Sequence, residues 1–229
     1  QRAMVKTSTR HSRRLANLSG HMASAAAPAA LPTMSDVRTV WRRLPPLGGA
    51  PDPADAAALE AELVRVEEGV AAAKGATNVE DVAVLTKAVR WALRFDEFWH
   101  PARYGRQGDT AMGAARRILT MAATRLGELG GRARPSWSSQ TGRLVRGYTS
   151  SVDDSLQPFG LQIPHSLQLD VAPASSVPLV VWLHGRGDQL TDLHFIDRCM
   201  FPGAGAAFQG LAAADALTDK AIVLHAFGR

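Results

Sequence analysis

The sequence predicts an α/β chain: a helical region followed by the first strands of a mixed sheet. Three observations predict it. Apolar residues recur at helical spacing through residues 53–130. After Gly131 that spacing gives way to short apolar runs separated by turn chemistry. A strand, a stretch with helical character and a second apolar strand then follow one another over residues 177–225, the pattern of a parallel crossover.

The elements follow in order. In residues 36–50, Val37, Val40 and Trp41 can form one helical turn before Leu44-Pro45-Pro46-Leu47-Gly48-Gly49 stops it. Asp52 is placed to cap a first helix with Pro53 at its first position, and Leu59, Leu63, Val66 and Val70 share one face. Gly75 ends it. Asn78 is the expected N-cap of a second helix, with Glu80 and Asp81 in its first turn, Val82, Leu85, Val89 and Leu93 along its face, and Pro101 closing it. Asp109 or Thr110 begins a third helix through Ile118, Met121 and Leu126 to Gly130-Gly131. Residues 143–149 and 156–163 read as two strands joined by the turn Ser151–Ser155, and Pro158 places the second at an edge or an irregular start. Residues 177–183 form a continuous apolar strand suited to burial on both faces, and residues 221–225 another, with a helix expected at 206–216 between them. The expected organisation is a leader over 1–35, a helical domain over 36–135 and a strand-bearing domain over 136–229.

Composition removes several function classes. Of 229 residues, 46% are hydrophobic and 21% charged, which excludes wholesale disorder. The single cysteine, Cys199, excludes a disulfide within the chain and a multi-cysteine zinc cage, and reads as a small buried hydrophobe. No apolar run is long enough to span a bilayer. The net charge of +5 comes from the first 35 residues, which carry five basic side chains and no acid; 36–229 balances 21 against 21. The basic excess is therefore a tail and not a nucleic-acid-binding face. An Arg- and Ser-rich, acid-free N-terminus resembles an organelle transit peptide, implying an organellar location; without that role the expected location is cytoplasmic. Trp91, Phe95, Phe98 and Trp99 read as an aromatic packing cluster.

The chemistry sits where the apolar strand ends in His184-Gly185-Arg186-Gly187-Asp188. Backbone amides of such a turn can converge on one point, and glycine permits the close approach. Three readings fit a loop of this kind. Gly185-Arg186-Gly187 begins a dinucleotide fingerprint, but Leu190 replaces its third glycine and no acid follows the next strand. His184, Asp188, Asp192 and His194 are metal-ligating types whose spacing matches no ligand motif; their alternative role is to cap turns and the following helix. The third reading is an oxyanion hole.

On the third reading, residues 140–229 resemble the α/β-hydrolase superfamily: its esterases, lipases and prolyl-oligopeptidase-like peptidases. The resemblance rests on the His-Gly-x-Gly motif after a third, apolar strand, on the preceding hairpin and on the crossover to a fourth strand. It implies that the backbone N–H groups of Gly185 and Arg186 bind the tetrahedral intermediate's oxygen, with His184 and Gly187 shaping the loop. It also implies hydrolysis of a small-molecule ester or peptide through an acyl-enzyme, with no cofactor and no metal. The chain has no G-x-S-x-G, so nucleophile, base and acid are expected beyond Arg229, in a chain expected to be truncated. A half-sheet of this kind should leave an apolar face uncovered and an edge open. The alternative is a non-catalytic interaction protein, its helices binding a partner and its hydrolase-like part a relic.

Overall fold

The computed structural model describes residues 48–98, 110–131, 133–167, 177–183, 191–201 and 220–227. Three helices come first: α1 (Pro53–Ala72), α2 (Glu80–Arg94) and α3 (Ala111–Leu129). A short 3₁₀ turn (Ser136–Ser139) leads into β1 (Gly142–Thr149) and β2 (Leu156–Ile163), followed by β3 (Leu179–Leu183), α4 (Asp192–Met200) and β4 (Ile222–Ala226).

The helix starts follow capping chemistry. Asp52 Oδ1 accepts from Ala54 N at 2.9 Å, with Pro53 in the first turn. Thr110 Oγ1 accepts from Gly113 N at 2.9 Å and sets the start of α3. The second helix differs from expectation. Asn78 does not cap α2; it takes a left-handed φ of 69°, and its Oδ1 accepts from Arg146 Nη2 at 2.9 Å. The longer-range partner outcompetes the local cap, and Val79 stands at the cap position without a side-chain bond. The helix also stops at Arg94, well before Pro101.

The four strands form one mixed sheet in the order β1-β2-β4-β3. β1 and β2 are antiparallel in a hairpin running from Gly142↔Ile163 to Thr149↔Leu156. β2 is antiparallel to β4 over Phe159–Gln162, and β3 runs parallel to β4 from Leu179↔Ile222 to Leu183↔Ala226. β2 is thus an interior strand. Pro158 is tolerated because pairing with β4 begins one residue later, so Pro158 pairs with Gly147 of β1 on one side only.

All described residues fall within one compact unit, Leu44–Arg229. Leu85 of α2, Ile118 of α3, Val145 of β1 and Phe195 of α4 belong to one hydrophobic core. That core includes side chains from both sides of position 135, and the helices form a layer against the sheet. α2 and α4 pack on β1 and β2, while α1 and α3 pack on α2. Two glycines permit this approach. A Cβ on Gly160 would lie 2.8 Å from Cys199 Sγ, and one on Gly147 would lie 2.2 Å from the Glu80 carbonyl oxygen.

A buried polar cluster closes the outer edge of β1. Asp81, in the first turn of α2, accepts from Gly147 N at 2.8 Å, Arg146 Nε at 2.7 Å and Trp137 Nε1 at 3.0 Å. Arg125 Nη1 donates to the Val145 carbonyl at 2.9 Å. These bonds occupy strand-edge groups that would otherwise invite another strand. The opposite edge is different. Leu179, Val181 and Leu183 of β3 are 59%, 54% and 76% exposed, against the expected burial on both faces. Gly160, whose Cβ position meets Cys199 of α4, aligns with His225 and Trp182, so α4 packs on the face opposite Leu179, Val181 and Leu183. Leu161, Leu224 and Val181 align across the sheet on the side away from α4.

Candidate functional site

Open α/β sheets bind ligands beyond the carboxyl ends of their parallel strands. Here those ends are Leu183 of β3 and Ala226 of β4, paired side by side. The chain returns to this end at α4, where Thr191 Oγ1 caps the helix by accepting from His194 N at 3.2 Å. Asp192 follows in the first turn, where a carboxylate meets the positive end of the helix dipole. It is buried and ion-paired with Lys87 Nζ of α2 at 2.8 Å. Lys87 also donates to the Leu156 carbonyl at 2.6 Å and lies 4.5 Å from the Trp91 ring centroid. One ammonium thus joins α2, the start of β2, α4 and an aromatic face.

A cavity of about 430 Å³ opens over this junction. Lys87 and Asp192 line it together with Trp91, Tyr148, Asp153 and Phe227. The hairpin tip supplies its polar side. Ser155 donates to Asp153 Oδ1 from its hydroxyl at 2.7 Å and its backbone N–H at 3.2 Å. These bonds, with Ser150, hold the Asp153 carboxyl below the usual carboxylate range. The arrangement provides aromatic walls, one carboxylate kept ionised in water and one charge pair sequestered at the base.

The sequence-predicted residues divide into two groups. His184, Gly185, Arg186, Gly187 and Asp188 lie outside the described residues, as do Trp41, Trp99, Asp109 and the helix expected at 206–216. Asp192 and His194 are described, and they serve the helix start: Asp192 pairs with Lys87, and the His194 N–H completes the Thr191 cap. Among the described residues no group of three His, Cys, Asp or Glu could hold a metal ion. The aromatic cluster separates. Phe98 is buried, whereas Trp91 and Phe95 stack edge to face at 6.0 Å on the surface, and Trp91 lines the cavity. Lys87 escaped sequence reasoning. Its signal was the i, i+4 spacing from Lys87 to Trp91, which places a cation over an indole on one helix face. Cys199 is buried, and desolvation pushes its thiol up to about 12, so it is not a nucleophile. Among the described residues no helix is long and apolar enough to cross a membrane.

Fold and cavity together define an α/β protein with a ligand-sized opening at the carboxyl ends of its parallel strands. The chain matches no protein-family model, no curated protein and no solved structure.

Proposed function

We propose that residues 136–229 are the N-terminal part of an α/β-hydrolase domain and that the protein is a serine hydrolase acting on an ester or peptide through an acyl-enzyme. The observation that carries this reading is the strand order β1-β2-β4-β3, with β2 antiparallel to its neighbours and β3 parallel to β4. An α/β-hydrolase sheet opens in the same order and directions, and its oxyanion loop joins β3 to the helix that follows. In this chain that connection carries His184-Gly185-Arg186-Gly187.

In this reading the Gly185 and Arg186 amides donate to the oxygen that becomes negative as the carbonyl carbon turns tetrahedral. That charge exists in the transition state and not in the substrate, so these donors lower the barrier instead of only tightening binding. A serine outside these 229 residues attacks, a histidine takes its proton, and an Asp or Glu orients that histidine. The cavity over Lys87 and Asp192 lies at the same end of the sheet and holds part of the substrate.

The test is to treat the complete natural polypeptide with a fluorophosphonate probe and locate the adduct by mass spectrometry. A single labelled serine outside residues 1–229, protected by an ester substrate, is the expected result. A folded polypeptide that takes up no probe overturns the reading and leaves the non-catalytic interaction protein in its place. The 229-residue chain alone should not turn over p-nitrophenyl acetate above background.

A further inference from the structure

A second cavity, of about 540 Å³, lies between α3, the 3₁₀ turn and the end of α4. That volume is within the range of small-molecule sites, about 300–1,000 Å³. Its walls are apolar and adaptable: Met121, Trp137, Met200 and Phe201. Among them stands Arg125, which is only 4% exposed.

A guanidinium so deeply placed needs acceptors, and Arg125 has few. Its Nη1 donates to the Asp81 carbonyl at 3.2 Å and to the Val145 carbonyl at 2.9 Å. It makes no ion pair among the described residues, because the Asp81 carboxylate is taken by Trp137, Arg146 and Gly147. The ring of Trp137 lies 5.2 Å away. The Nε–Nη2 edge has no acceptor among the described residues, and neither nitrogen is sealed from solvent. Nη1 is turned to the strand edge, and Arg125 also lines the cavity. Desolvation lowers the Arg125 pKa to about 10 in spite of the nearby Asp81 charge, as expected for a cation lacking a contact anion.

We propose that this cavity binds a small amphiphilic carboxylate, its carboxyl group on the Nε–Nη2 edge of Arg125 and its apolar body against Met121, Met200 and Phe201. The planar Nε–Nη2 edge offers two parallel N–H donors with the spacing of a carboxylate's two oxygens. The largely apolar lining favours a monoanion with a hydrocarbon or aromatic body over a phosphate, whose second charge costs more to desolvate. The other charges at the rim are already engaged. Arg117 pairs with Asp197 at 2.8 Å, Arg116 with Asp55 at 2.6 Å, and Glu128 is held by the Ser136 N–H and hydroxyl. The site is separate from the cavity over Lys87, and the inference does not depend on the hydrolase reading.

The probe is decanoate, titrated calorimetrically into the intact protein, with decanol and decyltrimethylammonium as controls. One saturable decanoate site is expected, with both controls at least tenfold weaker. Arg125→Lys keeps the charge but loses the fork, and should weaken decanoate at least tenfold. Met121→Trp fills the cavity from its surface side and should abolish binding with the circular dichroism spectrum unchanged. If Arg125→Lys fails to fold, the Met121→Trp result decides. Equal binding of decanol and decanoate, undiminished binding in Met121→Trp, or no saturable binding to the wild type overturns the proposal.

Discussion

Removing the Asp81 carboxylate should be among the most damaging single changes in the helical layer. Asp81 is 1% exposed and receives three hydrogen bonds, one each from the backbone of Gly147, the indole of Trp137 and the guanidinium of Arg146. Asp81→Ala leaves the buried indole N–H and the Gly147 N–H without acceptors and strips Arg146 of its counter-charge. Breaking a buried ion pair from one side costs about 3–5 kcal/mol. Domains are stable by only about 5–15 kcal/mol, so this is a large share of the total. At about 2–4 °C per kcal/mol for a unit of this size, the melting temperature should fall by ~6–20 °C. Asp81→Asn keeps the shape and one acceptor oxygen and should lie between wild type and alanine. The assay is urea unfolding followed by Trp fluorescence, with thermal unfolding as a second measure. A loss below about 1 kcal/mol for Asp81→Ala would show that the cluster is solvated and that the edge of β1 does not rely on it.

The remaining predictions concern single positions. Gly147→Ala should destabilise by about 1–3 kcal/mol, because its Cβ would collide with the Glu80 carbonyl. Gly127→Ala on α3 has open space at its Cβ and should stabilise by about 0.5–1 kcal/mol; unfolding midpoints of both variants check the pair. Cys199 should resist Ellman's reagent until the protein unfolds. Its folded pKa of about 12 lies above the ordinary 9.0, so its stability contribution is intact below pH 9 and is lost as pH rises towards 12. Cys199→Ala should therefore show a shallower stability loss over that window than the wild type. If the proposed serine-hydrolase reading holds, Gly185→Val should lower kcat by roughly 10²–10³-fold, while Arg186→Ala keeps the N–H and should cost much less. Equal losses confined to KM would assign the loop to substrate binding.

What the sequence determined by itself was local. Asp52-Pro53 and Thr110 announce helix starts because a capping bond needs only the neighbouring residues. The hairpin and the two apolar strands were legible for the same reason: alternation, turn residues and apolar runs act over a few positions. Long-range contacts decided the rest. Asn78 was recruited by Arg146 from 68 positions away, against its capping preference. The salt bridge between Lys87 and Asp192, and the three donors on Asp81, join residues whose separation in sequence carries no pattern. The exposure of β3 likewise depended on which face of the sheet the helices pack against, and no property of its own five residues could reveal that. Hydrophobic periodicity reports what a segment can bury; the partner that buries it is chosen only when the whole sheet and its helical layer assemble.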